Sequence, residues 1–487
     1  MANLKGLAKD TAIYGLSSIV GRFLNYLLVP LYTHVISASS GGYGVVTNLY
    51  AYTALILVIL TFGMETTFFR FANKEDENPH TVLSTAMAIV GGLTLLFLAS
   101  VFGFINPIAD ALGYADHHDY VLTMAAVVAL DALQAIPFSY LRYQKKAIKF
   151  ASLKLLFVIM NIGLNLLYFV TLGKTEVGYV FSLNLVCTGL ITFFFIPELF
   201  SIKWQVDFSL LKRMFSYSWP ILILGIAGIL NQAFDKMVFP WAYTHTGLHT
   251  MEEAQVQLGI YGACVKVAMI MAMITQAFRY AYEPIVFAIA KDKDSKEYYA
   301  VAMKYFIIFT LFAFLCVIGY MDILKYIVRS DYHEGLVVIP IVMAAEIMMG
   351  IYFNLSFWYK LADKTIWGAW FSFAGCAVLI AVNILFVPRY GYMACAWGGF
   401  AGYATAMLLS YFVGQYFNPI PYDLRGIFTY LLLALVLFAA MEYQPTSWPV
   451  WVRLILNTGL IALFLLQVIH RDLPLHSLPV IGKKFKK

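Results

Sequence analysis

Long apolar runs, separated by short polar joints, fill the chain almost from end to end. A helix needs about 20 mostly apolar residues to cross a bilayer. By that measure the runs predict membrane helices over 10–34, 42–69, 81–106, 119–142, 150–172, 176–200 and 212–243, then over 257–289, 299–321, 333–360, 364–388, 391–417, 424–442 and 448–470. The expectation is an all-α integral membrane protein with about 14 transmembrane helices. The first run follows Lys5 and Lys9 and outlasts the roughly 7–15 apolar residues of a cleaved signal, so it is expected to be retained as a helix.

Composition narrows the class. Hydrophobic residues make up 61% of the 487, charged residues only 12%, and the mean hydropathy is +0.77. A set of soluble domains would carry about 25% charged residues, and no polar stretch here is long enough to house one. The cysteines, Cys187, Cys264, Cys316, Cys376 and Cys395, sit in apolar runs without CxxC spacing, which predicts buried thiols rather than a metal or disulfide framework.

Lys and Arg fall mostly on one side of the predicted spans when the N-terminus is placed inside: Arg70, Lys74, Arg142, Lys145, Lys146, Lys149 and Lys154 belong there, as do Lys360, Lys364 and the KKFKK tail. The other side holds Lys174, Lys325, Arg329, Arg389 and Arg453. This bias predicts both termini in the cytoplasm. It also accounts for the net charge of +6 without a nucleic-acid partner. The basic tail is expected at the anionic inner leaflet.

The two halves resemble one another. NYLLVPLYTH (Asn25–His34) returns as DKMVFPWAYTH (Asp235–His245), and GGYGVV (Gly41–Val46) as GIYGAC (Gly259–Cys264). SYLRYQKK (Ser139–Lys146) has a looser echo in SFWYKLADK (Ser356–Lys364), and NLLYFVTLGKTEVGYV (Asn165–Val180) in NILFVPRYGYM (Asn383–Met393). An even number of spans separates the copies, so the repeat is parallel, with a pseudo-two-fold axis along the membrane normal. The expected organisation is an N-terminal lobe of helices 1–6 (1–205), a C-terminal lobe of helices 7–12 (206–418), and two extra helices with the tail (419–487).

Polar residues inside the spans are the candidate chemistry, because charge at bilayer depth is costly and normally faces a protein interior or a wet cavity. Thr11, Tyr14, Ser18, Arg22 and Asn25 line one face of the first helix. Arg22 fits a phosphate through its guanidinium fork, or Glu65 as a structural partner. The seventh helix carries Asn231, Gln232, Asp235 and Lys236, and the eighth Lys266, Gln276, Arg279 and Glu283. Arg279 and Glu283 are four apart and can pair within the helix. Glu346 and Asp131 are further carboxylates within spans; a structural role is expected for Asp131. Asp235, Glu283, Glu346 and Glu65 are the candidates for binding a coupling cation or proton. No phosphate-binding GxxxxGK[ST] loop, HExxH or nucleophile elbow occurs, and the joints are too short for a catalytic domain. A transporter is therefore expected, not an enzyme.

The opening TAIYGLSSIVGRFLNYLLVPLYTHVIS, with GGYGVV, DKMVF and GIYGACVKVA, resembles the Wzx-type O-antigen and capsule flippases. These form the polysaccharide-transport branch of the superfamily that also holds the lipid II flippases and MATE drug exporters. The resemblance implies a twelve-helix, two-lobed core with alternating access and two appended helices. It implies transport of an undecaprenyl-diphosphate-linked oligosaccharide across the bacterial inner membrane. It implies a cationic cavity, into which Arg22, Lys236, Lys266 and Arg279 would fit with Asn25, Asn231 and Gln232 beside them. H⁺ or Na⁺ would be the coupling ion, with no other cofactor. The partners it implies are the lipid-linked substrate, the bilayer and other polysaccharide-assembly proteins. The alternative is a MATE-like H⁺- or Na⁺-coupled antiporter of small molecules, which would line its site with carboxylates and aromatics.

Overall fold

The computed structural model describes residues 26–200, 204–205, 207–289, 295–362, 364–445 and 447–472, and among these it is helical with no strand. A short helix, α1 (Leu28–Val35), leads into α2 (Gly42–Thr61) and α3 (Met64–Ala72). Next come α4 (Pro79–Gly103), α5 (Ile105–Leu112), α6 (His118–Tyr143), α7 (Ala147–Asn165) and α8 (Gly178–Phe193). The central pair is α9 (Phe208–Thr244) and α10 (Met251–Ile289). After them run α11 (Ser295–Gly319), α12 (Ile339–Leu355), α13 (Phe357–Leu361), α14 (Ile366–Tyr390) and α15 (Tyr392–Phe417), and finally α16 (Leu424–Glu442) and α17 (Val450–Arg471).

Among the described residues, eleven helical stretches are long and apolar enough to cross a membrane. Of the remaining predicted spans, 176–200 appears as the shorter apolar helix α8 and 391–417 as α15, while most of 10–34 lies outside the described residues. The helix starts follow sequence signals. Asn78 caps α4 by accepting from His80 N–H, with Pro79 in the first turn, and Asp207 caps α9 by accepting from Ser209 and Leu210 N–H. Large apolar side chains such as Leu95, Phe102, Ile159, Phe193, Trp370 and Phe412 lie exposed on the helix flanks, as lipid-facing residues do.

The chain divides into two compact units, 1–263 with 383–392, and 264–382 with 393–487. In the first, α9 packs along α2, and α6 packs against α2, α4 and α8. Its core is built from Met64, Phe68 and Phe71 of α3 against Val82, Ala86 and Val90 of α4, with Ile136 of α6 and Met214 of α9. In the second, α11 packs against α12, α16 and α17. Gly44 of α2 lies so close to α10 that a Cβ on it would sit 1.9 Å from the Gln255 carbonyl oxygen. Only glycine allows the two backbones to approach this far.

The second apolar stretch is broken where the sequence predicts one helix over 42–69. Phe62 (φ 50°) and Gly63 (φ 67°) both adopt left-handed backbone and separate α2 from α3. A bulky residue rarely holds such a φ unless its surroundings fix it. Here the Phe62 ring stacks on Phe215 of α9, with ring centroids 4.4 Å apart.

Local geometry at the helix ends repeats. Thr33 Oγ1 donates to Val29 O and Thr244 Oγ1 to Pro240 O, each across one turn. The ring of the following histidine, His34 or His245, meets a carbonyl on the same turn. Asn165 and Asn383, matched in the sequence repeat, are both fully buried.

Candidate functional site

Among the described residues, the charged sequence candidates with recorded ion pairs fall into three groups, on candidate spans or at their ends. The first is on α9. Asp235 is buried, and Lys236 Nζ lies 3.0 Å from both of its carboxylate oxygens. The Tyr261 hydroxyl donates to Asp235 Oδ2 at 2.7 Å. Neighbouring side chains fix the backbone of this turn: Asn48 Nδ2 donates to Lys236 O at 2.8 Å, Tyr52 OH to Met237 O at 3.0 Å, and Tyr114 OH to Asn48 Oδ1 at 2.8 Å. Burial pushes the Tyr114 hydroxyl, in the loop before α6, well above the ordinary tyrosine range, so it stays a donor. Lys236 and Asp235 are thus a neutralised pair held in a hydrogen-bonded frame.

The second group lies where α2 and α3 break. Glu65 Oε2 is 3.7 Å from Arg142 Nη2 of α6. Ser139 Oγ donates to the same carboxylate at 3.4 Å and accepts from Arg142 Nη2 at 3.4 Å. The guanidinium lies over the Phe69 ring, 4.8 Å from its centroid. Glu65, Arg142 and Phe69 face a cavity of about 450 Å³ bounded by α2, α3, α6 and α9, with Thr61, Thr66 and Ile221 in its wall. Nearby, Lys154 Nζ lies 4.0 Å over the Phe138 ring and interacts with the charges of Asp131, Glu65 and Arg142.

The third group is on α10. Glu283 takes a different cation on each oxygen: Arg279 Nε lies 3.5 Å from Oε2, and Lys360 Nζ lies 3.4 Å from Oε1. The intrahelical pair predicted from the spacing is therefore present, joined by a lysine of α13. Arg279 lies over the Phe353 ring at 4.6 Å. It borders a crevice of only about 10 Å³, whose wall includes Thr275, Tyr282 and Asn354.

The other sequence candidates are spread out. Asn231 Nδ2 donates to Ala227 O within its own helix, and Gln232 is exposed on α9. Lys266 of α10 and Glu346 of α12 are half-buried. Arg22 and Asn25 lie outside the described residues. Arg142 and Lys360 were assigned from the sequence to inner loops because they end apolar runs.

Comparison with known proteins adds the following. Residues 39–334 match the family described as "Polysaccharide biosynthesis protein". No curated relative matches the sequence. Among solved structures, the chain resembles the lipid II flippase MurJ in an inward closed conformation. That match has 14% identity and a TM-score of 0.74, over 96% of this chain and 99% of that one. It also resembles the MATE multidrug transporter DinF-BH in complex with R6G, at 15% identity and a TM-score of 0.58, over 88% of this chain and 97% of that one. A MOP superfamily transporter from Pyrococcus furiosus aligns at 13% identity and a TM-score of 0.53, over 84% and 95% of the two chains. At these identities the likeness is one of fold.

Proposed function

Because the chain belongs to the polysaccharide biosynthesis protein family, we propose that it is a flippase for a polyprenyl-diphosphate-linked oligosaccharide. The natural substrate in this reading is an undecaprenyl-linked repeat unit of O-antigen, capsule or exopolysaccharide, and the membrane is the bacterial inner membrane. Both termini are cytoplasmic. Helices 1–6 and 7–12 act as the two lobes of an alternating-access transporter, and the last two helices are appended to them.

The observation that carries this reading is the Glu283 group. Two cations, Arg279 and Lys360, share one carboxylate where two candidate membrane spans end. A net positive charge there, on cations that stay 39% and 26% exposed, suits a diphosphate bound on their open side rather than in the narrow crevice. It does not suit a cationic drug, which would need the opposite sign. Arg22, Lys266 and Asn25 are proposed as further contacts to the charged head. Lys236 is already neutralised by Asp235 and contributes through the hydroxyl and amide groups around it, with Asn231 and Gln232. Coupling to H⁺ or Na⁺ would act through Asp235, Glu283, Glu346 or Glu65. The polyprenyl tail stays in lipid, since removing it would cost about 0.8 kcal/mol per CH₂. Only the polar head crosses through protein.

Reconstitution into proteoliposomes tests this. A diphosphate-linked oligosaccharide bearing a fluorophore should become accessible from the opposite leaflet to a membrane-impermeant glycosidase only when the protein is present. Failure to move such a lipid, together with exchange of small organic cations for H⁺ or Na⁺, would replace the flippase with an antiporter.

A further inference from the structure

The Glu65 cavity differs from the other two charged groups in having unused hydrogen-bonding capacity. Its carboxylate contacts lie at 3.4 and 3.7 Å, longer than a charge-assisted hydrogen bond of about 2.7–2.9 Å. Arg142 Nε has no acceptor in the structure, and Nη2 makes only the 3.4 Å contact to Ser139 and the 3.7 Å one to Glu65. A guanidinium has five donors and a carboxylate about four acceptor positions; Nε is itself buried, so the capacity open to a ligand is that of the terminal nitrogens and the carboxylate oxygens. By contrast, Asp235 is closed by contacts of 2.7–3.0 Å, and the Glu283 crevice is too small for anything beyond about one water.

The shape and charge of the cavity indicate its ligand. A volume of about 450 Å³ lies within the usual range for a small-molecule site, about 300–1,000 Å³. Glu65 and Arg142 cancel in charge, as do Lys154 and Asp131 nearby, so the cavity favours a neutral ligand rich in hydroxyls. Thr61 and Thr66 add hydroxyls to the wall, and Phe69 adds an aromatic ring. The turn at Phe62 and Gly63 interrupts the helix at this wall, as membrane helices do where backbone lines a binding cavity. Gly63 is required there: its φ is +67°, and a Cβ would meet Ile221 Cγ2 at 2.8 Å.

We propose that the cavity bounded by Glu65, Arg142, Thr66 and Phe69 is a saccharide subsite. The carboxylate accepts from a pair of adjacent sugar hydroxyls, and the guanidinium donates to a ring or acetamido oxygen. This rests on the flippase reading and adds to it a place for the glycan, separate from the cation pair assigned to the diphosphate.

Direct binding to the intact protein in nanodiscs tests the subsite without transport. The probes are neutral disaccharides, among them N-acetylglucosamine-containing ones, and inorganic pyrophosphate, read by saturation-transfer NMR. The wild type should bind at least one neutral disaccharide saturably. Glu65→Gln and Arg142→Lys should weaken that binding about tenfold and leave pyrophosphate binding unchanged. Thr66→Trp, which fills the cavity from an exposed wall position without removing either charge, should abolish disaccharide binding. Each variant is accepted only if it is monodisperse with an unchanged melting temperature. Absence of saturable disaccharide binding to the wild type overturns the proposal. So does loss of pyrophosphate binding in Arg142→Lys, which would make the cavity an anion site. Disaccharide binding without lipid flipping would leave the subsite standing and remove the flippase.

Discussion

The two copies of the repeat keep one arrangement and use it differently. Tyr43 and Tyr261, Glu65 and Glu283, Arg142 and Lys360, and Asn165 and Asn383 form pairs that all have the same separation along the chain. The glutamate–cation contact is present in both copies, at 3.7 Å in the first and 3.4 Å in the second. In the same register, Thr61 of the first copy is replaced by Arg279, Asn48 by Lys266, and Gly63 by Ala281. The first two replacements add positive charge to the second copy. The third accompanies a continuous α10 in place of the break between α2 and α3. The first copy therefore has a balanced pair beside a roomy cavity, and the second a net positive cluster beside a narrow crevice.

The largest effect that would sharpen this contrast concerns the closed Asp235–Lys236 pair on α9. Asp235→Ala leaves the Lys236 charge without its partner and should destabilise the protein by about 3–5 kcal/mol. Glu65→Ala, at a half-exposed pair, should cost under about 1 kcal/mol. Denaturant titration in detergent compares them, and adding Lys236→Met to Asp235→Ala should restore most of the loss. Equal effects at the two sites would show that the Asp235 pair is no more closed than the Glu65 one.

A smaller contrast is built into the glycines. Gly44→Ala meets the Gln255 backbone carbonyl, which cannot turn aside, whereas Gly262→Ala meets the Thr47 side chain. Gly44→Ala should cost about 1–3 kcal/mol, at the upper end of overpacking. Gly262→Ala should cost less and be relieved by Thr47→Ala. Melting temperatures of the four proteins check this, and equal, unrelieved losses would contradict it.

The smallest effect lies in the appended helices, which have no counterpart in either copy. Lys304 donates to the Asp423 carboxylate at 2.8 Å, and Gly426 N–H donates to it at 2.9 Å. The lysine first, and then the backbone N–H, hold Asp423 below the usual aspartate range. Its stabilising effect is therefore complete above the unfolded-state pKa, near 3.9, and is lost as pH falls through the lower folded value. Asp423 is about half exposed, so Asp423→Asn should cost under about 1 kcal/mol at neutral pH. The difference from wild type should vanish in melts at the acid end.

The fold was legible because apolar run length and Lys/Arg placement carry most of the information in a membrane protein. The repeat was legible in the Thr-His and Gly-Tyr motifs, and the threonine hydrogen bond of the first recurs in both copies. The pairing of the charges was legible only where it is local, as in Arg279 with Glu283. Arg142 and Lys360 end their apolar runs and read as loop charges. Their glutamates lie far away in sequence, and no periodicity reports such a contact. The break at Phe62 was hidden as well, because it depends on a stacking partner, Phe215, contributed by another helix. The Tyr261 contact to Asp235 was hidden too, because it comes from a different helix.

The most direct measurement is flipping by wild type, Lys360→Gln and Arg142→Gln in proteoliposomes, using one oligosaccharide linked to polyprenol through either a diphosphate or a monophosphate. The account predicts that wild type prefers the diphosphate. It predicts that Lys360→Gln slows the diphosphate lipid about tenfold, in keeping with loss of one charged hydrogen bond, and erases the preference. Arg142→Gln should slow both lipids and keep it. The account is contradicted if wild type moves neither lipid, or if the preference disappears with Arg142→Gln and survives Lys360→Gln.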